Sequence, residues 1–241
     1  MTDYVLVPGA WLGAWAWQDV VAELTGAGHG AHPLSLSGLA ERSGTPAGQD
    51  THVRDIVDEV DRLGLRDVVL VGHSYSGIPV AQAAGRLGSR LRRVVFVDAC
   101  VPQEGESFAS GWWQGQAAFE AVLAAQDGGW AVPAAEEFAG QDLTDEQIAR
   151  FTSLGTPHPA AALTEPAALP RPLGDLPATY IKCLLDGDVP PDAAAELLKS
   201  SELWNLVEMD TGHWPMFSRP RELARILLDT AGDDTPERAS A

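Results

Sequence analysis

Lysine is nearly missing from this chain. Only Lys182 and Lys199 occur in 241 residues, and arginine supplies the rest of the positive charge. Lysine and arginine together number 16 against 34 acidic residues, a formal net charge of −18. Nucleic acids and anionic membrane surfaces are bound through clustered positive charge, so this balance argues against both as partners. The amino terminus enters a short apolar stretch at once, with neither a basic segment nor a long apolar run ahead of it, so the protein is expected to be cytoplasmic and unanchored. Cysteine is equally scarce. Cys100 and Cys183 each lie in or just after an apolar run, which predicts buried free thiols rather than a disulfide. Neither C-x-x-C nor H-E-x-x-H spacing occurs, and no metal or cofactor is expected. What remains is ordinary for a globular protein with a sizeable core: 45% hydrophobic and 21% charged residues. A homodimer is left open.

The most informative stretch is DVVLVGHSYSGIPVAQAA, from Asp67 to Ala84. Val68 to Val71 form a continuous apolar run, as a strand buried on both faces does. Gly72-His73-Ser74-Tyr75-Ser76-Gly77 follows directly, and Ile78, Val80, Ala81, Ala84 and Leu87 then recur at helical spacing. A strand, a sharp turn bearing serine and a helix make the layout of a nucleophile elbow. A serine hydroxyl attacks well only when exposed, held still and paired with a base. The helix behind it points free N–H groups at a developing oxyanion. The motif departs from G-x-S-x-G: Ser76 occupies the last position, and glycine comes one place later, at Gly77.

Around this stretch strands and helices alternate. Strands are expected at Tyr4–Val7, near His32–Leu34, at Arg93–Val97, Ala178–Leu185 and Leu203–Met209. Helices are expected on the faces formed by Trp17, Val20, Val21 and Leu24, by Val53, Ile56, Val57, Val60 and Leu63, through Leu197 and Leu198, and by Leu223, Ile226 and Leu227. The alternation predicts an α/β fold whose mostly parallel sheet is covered by helices on both faces. Ligands gather at the carboxyl ends of such strands. The pattern breaks over 103–176, which is rich in glycine, proline and aromatics. This segment reads as a cap inserted into a core made of 1–102 and 177–241, with helices at Gln116–Ala125 and Asp145–Phe151. A polar, frayed tail is expected from Gly232.

Ser74, Asp186 and His213 each follow an expected strand, and their order of serine, acid, histidine is that of the α/β-hydrolases. A histidine after the last strand can reach the serine as base, and a neighbouring carboxylate can hold its tautomer. Asp186 is the preferred acid, with Asp98 and Asp188 as alternatives. His73 is expected to pack beneath the elbow, while His29, His32 and His52 read as surface residues.

The segments VLVPGAWLGAWAW, VLVGHSYSG, RVVFVDACVP, YIKCLLDGDVP and TGHWPMFSRPRELA span nearly the whole chain. In them the sequence resembles the α/β-hydrolase superfamily, nearest its plant methylesterase and hydroxynitrile-lyase branch with related bacterial esterases. The resemblance implies a Ser74–His213–Asp186 triad and an oxyanion hole formed by the N–H groups of Tyr75 and Ala10. It has Pro8-Gly9 where the family has histidine-glycine. Lyases of that branch carry a lysine after the catalytic histidine, where this chain has Trp214, so hydroxynitrile-lyase activity is not expected. The function implied is a carboxylesterase acting through an acyl-enzyme on a small or mid-sized apolar ester. Trp11, Trp112, Trp113, His158 and Trp214 are the candidate pocket residues. A lyase or biosynthetic enzyme on the same triad, or a ligand-binding receptor on a hydrolase fold, are the alternatives.

Overall fold

Apolar runs too short to be anything but strands build the centre of the molecule. The computed structural model describes residues 1–126 and 128–232; the tail expected beyond Gly232 lies outside them. The elements follow in chain order: β1 (Asp3–Val7), α1 (Gln18–Gly26), β2 (Gly30–Pro33), α2 (Gln49–Arg62), β3 (Val68–His73), α3 (Gly77–Leu87) and β4 (Leu91–Val97). After a long excursion come β7 (Ala178–Cys183), α7 (Asp192–Ser200), β8 (Trp204–Met209), α8 (Pro215–Ser218) and α9 (Pro220–Gly232). These strands form one sheet in the order β2-β1-β3-β4-β7-β8. Every pairing in it is parallel. Val68 to Val71 are wholly buried, as expected of a strand covered on both faces. Helices α1 and α9 pack together, as do α2 and α3, and these two layers sandwich the sheet.

The amphipathic periodicity of the helices accounts for their seating. In α2, Val53, Ile56 and Val60 are wholly buried, and in α9 so are Leu223 and Leu227. One expectation on this helix fails: His52 is not a surface residue. It is fully buried, because its register falls on the inner face of α2, where its ring bonds Tyr75 and the Ser37 carbonyl.

The excursion between β4 and β7 carries α4 (Gln116–Ala125), β5 (Gly129–Trp130), α5 (Asp145–Leu154), β6 (His158–Pro159) and α6 (Ala160–Thr164), with the two-residue strands β5 and β6 paired antiparallel across α5. Its large apolar side chains, Phe119, Phe138, Phe151 and Leu163, belong to the same contiguous hydrophobic cluster as the sheet strands. The excursion therefore has no core of its own. Because β4 and β7 are neighbours in the sheet, the end of β4 lies beside β7. The Asp98 N–H donates to the Ile181 carbonyl at 2.7 Å, which brings Asp98 next to Lys182.

Glycine one place late in the elbow has a packing cause. A Cβ at Gly77 would lie 2.0 Å from the Cys100 carbonyl oxygen, a backbone atom that cannot swing aside. In an open helix Gly→Ala gains up to ~1 kcal/mol. Here overpacking dominates, and Gly77→Ala should lose about 1–3 kcal/mol of unfolding free energy in denaturant titration. A more stable variant would contradict this packing.

Candidate active site

The elbow stands where β3 ends. Ser74 adopts φ +55, the left-handed region, and its position at the head of a short 3-10 turn leading into α3 raises its side chain above the sheet. The Cys100 N–H donates to the Ser74 carbonyl at 3.0 Å and holds the strained turn from the β4 side. The Ser76 hydroxyl, standing where the motif has glycine, donates to the Pro8 carbonyl. Pro8 lacks an N–H, but its carbonyl thus ties the loop after β1 to the elbow. Gly9 lies so close that a Cβ there would meet Ser74 Cβ at 2.8 Å and His73 Nδ1 at 2.7 Å. Only glycine lets the two turns approach this closely, and Ala10 follows it directly.

His213, in the turn after β8, places Nε2 2.9 Å from Ser74 Oγ. Its backbone is fixed from two sides. Its N–H donates to Gln141 Oε1 at 2.6 Å, and its carbonyl lies 2.7 Å from His73 Nε2. His73 is fully buried beneath the elbow, and burial pushes its pKa well down.

Two carboxylates meet the other imidazole nitrogen. Asp98 Oδ2 accepts from Nδ1 at 2.7 Å, while Asp186 Oδ2 makes a longer ion-pair contact at 3.3 Å. Asp98 has a side chain 2% exposed, whereas that of Asp186 is 38% exposed. Asp98 Oδ1 is occupied as well. The buried Lys182 ammonium donates to it at 2.7 Å and to the Asp186 carbonyl at 3.1 Å. Gln141 Nε2 donates to Asp186 Oδ1 at 3.1 Å. The acid expected at Asp186 is therefore at the histidine but not alone, and the shorter bond belongs to Asp98. Burial opposes a charged imidazole, but the contacts and charges of Asp186 and Asp98 outweigh it, and the His213 pKa rises to about 9. Despite its partial burial, the Asp186 carboxyl is held below its ordinary range by His213 and Gln141.

A cavity of about 840 Å³ opens onto Ser74 and His213. Trp11, Phe108, Trp112, Trp130 and Trp214 wall it, with Val189 and Pro190 at one side. The rings support one another: Trp11 lies 4.2 Å from Trp130 between centroids, and Phe108 5.4 Å. Trp11 also donates its indole N–H to the Trp130 carbonyl at 2.9 Å, joining the loop after β1 to the excursion.

A family model described as alpha/beta hydrolase family matches residues 4–226. The chain belongs to that family. It is 30% identical to a probable hydrolase from Phoma sp. over 95% of this chain and 97% of that protein. It is 27% identical to methylesterase 9 of Arabidopsis thaliana over 96% of this chain and 98% of that one. A carbendazim hydrolyzing esterase from Nocardioides sp. is 39% identical over 44% of this chain and 46% of its own length. An extracellular alpha/beta-hydrolase from a Paenibacillus species superposes with a TM-score of 0.83 at 21% identity, covering 95% of this chain and 98% of that one. The protein is accordingly an α/β-hydrolase enzyme of the ester-hydrolase kind. Among the described residues no helix is long and apolar enough to cross a membrane.

In this α/β-hydrolase three of the expected pocket residues, Trp11, Trp112 and Trp214, line the cavity. Two lie elsewhere. Trp113 points outward and is 79% exposed, since its neighbour Trp112 takes the inward position. His158 is wholly buried against Tyr75 at 4.3 Å between ring centroids, because β6 lays it over the elbow rather than into the cavity. Asp188 is absent from the cavity lining and from the His213 contacts. Phe108, Trp130, Gln141 and Lys182 are not among the expected site residues. Aromatic enrichment signalled the first two, while nothing local distinguished the others. Imidazole resonances followed by NMR should show His213 titrating near pH 9 in the free enzyme. A midpoint at the ordinary histidine value near 6.5 would show that the carboxylates do not act on it.

Proposed function

We propose that the protein is a carboxylesterase using Ser74 as nucleophile and His213 as general base, with Asp98 and Asp186 sharing the role of acid. The observation that carries this reading is the continuous relay from Ser74 Oγ to His213 Nε2 at 2.9 Å and from His213 Nδ1 to Asp98 at 2.7 Å. Within it, His213 accepts the hydroxyl proton as Ser74 attacks the ester carbonyl. The imidazolium then protonates the departing alcohol, and water repeats the sequence to release the acid. The N–H groups of Tyr75 and Ala10 are the candidate oxyanion donors, one at the head of the elbow turn and the other beside it.

The excursion over 103–176 acts as a cap in this reading, since it contributes Phe108, Trp112 and Trp130 to the cavity wall. These walls favour an apolar acyl or aryl group. Charge points the same way. The described lining includes Glu106 and Asp192, and its lysine is already engaged by Asp98 and the Asp186 carbonyl. A neutral ester therefore suits this cavity better than a substrate bearing a carboxylate. Relatives named as esterases and a methylesterase agree with ester cleavage.

A panel of neutral aryl esters of increasing acyl length tests this. Wild type should turn over its best member at least about 10³-fold faster than Ser74→Ala. Equal rates would remove Ser74 from the chemistry. The acids give a second expectation. Asp98→Asn and Asp186→Asn should each lower kcat by about 10- to 100-fold, because one carboxylate remains at Nδ1, and Asp98→Asn should be the costlier. The double variant should approach the ~10⁴-fold loss seen when a triad histidine is left in the wrong tautomer. If Asp186→Asn alone reaches that loss, the two acids do not share the role.

A further inference from the structure

The relay contains one charge that the proposed reaction does not use. Lys182 is part of β7, a strand buried along its whole length between β4 and β8, and its side chain is 5% exposed. A buried ammonium is costly unless neutralised and hydrogen-bonded. Here it bonds Asp98 Oδ1 at 2.7 Å and the carbonyl of Asp186 at 3.1 Å. It thus touches both residues that meet His213 Nδ1, one through its carboxylate and the other through its backbone. The Cys183 N–H adds a second donor to Asp98 Oδ1 at 3.3 Å, which leaves Oδ2 to face the imidazole.

The arrangement poses an electrostatic problem that Lys182 answers. Two carboxylates beside one imidazole nitrogen favour the protonated ring, and the ring can accept a proton from serine only once it has lost its own. With Lys182 present, the charge beside His213 is that of two carboxylates and one ammonium. Other groups around the ring do not replace it. Ser74 lies at Nε2, buried His73 meets the backbone carbonyl, Gln141 is neutral and Trp214 packs edge-on. Glu106 and Asp192 line the cavity farther out and are negative.

We propose that Lys182 is a positioning residue of the catalytic site, fixing Asp98 and the Asp186 backbone around His213 and offsetting one of their two negative charges so that the imidazole gives up its proton at a lower pH than the two carboxylates alone would set. The geometry of the ammonium is open to test without any substrate, although its meaning for turnover rests on the esterase reading. Lys182→Met should raise the midpoint of the His213 imidazole titration, followed by NMR, by about one pH unit or more. The acid limb of kcat/KM for an aryl ester should move up by the same amount. Activity well below the midpoint should fall about tenfold and recover as pH rises. Lys182→Arg, which keeps the charge, should restore most of the wild-type profile.

Removing a buried ammonium takes a cation from Asp98 and puts the folding of Lys182→Met at risk; a second pair of variants removes that dependence. Asp98→Asn is compared with Asp98→Asn/Lys182→Met. With the carboxylate gone, Lys182 should hold the His213 midpoint lower in the single variant than in the double by about one unit. Equal midpoints in whichever pairs fold would overturn the proposal and reduce Lys182 to a structural counter-ion. A uniform loss of activity at every pH, with the midpoint unmoved, would do the same. The imidazole titration does not depend on catalysis. If no ester is cleaved in a Ser74-dependent way yet the midpoint moves, the esterase reading fails while the electrostatic role of Lys182 stands.

Discussion

The bond between His213 Nδ1 and Asp98 is where the sheet, the chemistry and the buried charge meet. Its existence requires β4 and β7 to be neighbours, since only then does the end of β4 lie beside Lys182 and across from the turn that carries His213. A carboxylate with 2% of its side chain exposed needs a cation or several donors. Lys182, the Cys183 N–H and the His213 ring supply them. The same burial that makes this group costly makes its orientation of the imidazole firm. Asp186, more exposed and held by Gln141, is the looser of the two acids.

The serine side rests on a different kind of constraint. Three turns converge at the carboxyl ends of the strands: the loop after β1, the elbow after β3 and the stretch after β4. Backbone proximity joins them. Ser76 reaches the Pro8 carbonyl, Cys100 donates to the Ser74 carbonyl, and Gly9 and Gly77 leave room where a Cβ would collide. The nonstandard Ser76 and the late Gly77 are thus two halves of one solution. The hydroxyl adds a link to the loop after β1, and the glycine beyond it admits the Cys100 carbonyl.

Much of this was legible in the chain itself. The run Val68–Val71 followed by a turn and an amphipathic helix identifies β3, Ser74 and α3, because all the signals are local. His213 follows the last strand and is likewise found by chain order. The acid was harder. Asp98 and Asp186 both end strands, and the sequence carries no direct record that the two strands lie side by side once a long excursion separates them. Lys182 sits in an apolar strand and reads as a stray charge until Asp98 is seen beside it. The aromatic wall was legible as composition but not as geometry. Trp112 and Trp113 are adjacent in sequence, yet one lines the cavity and the other faces outward. His52 and His158 show the same limit, since both are buried polar rings seated by packing against Tyr75.

In the proposed reaction Ser74 carries the acyl group between the two halves of ester cleavage. Acid quenching during turnover of a slow aryl ester, followed by intact-protein mass spectrometry and peptide mapping, tests it most directly. An added mass equal to the acyl group is expected on the peptide containing Ser74 and is absent from Ser74→Ala. Turnover with the acyl group on another residue, or with Ser74→Ala acylated as readily as wild type, would contradict it.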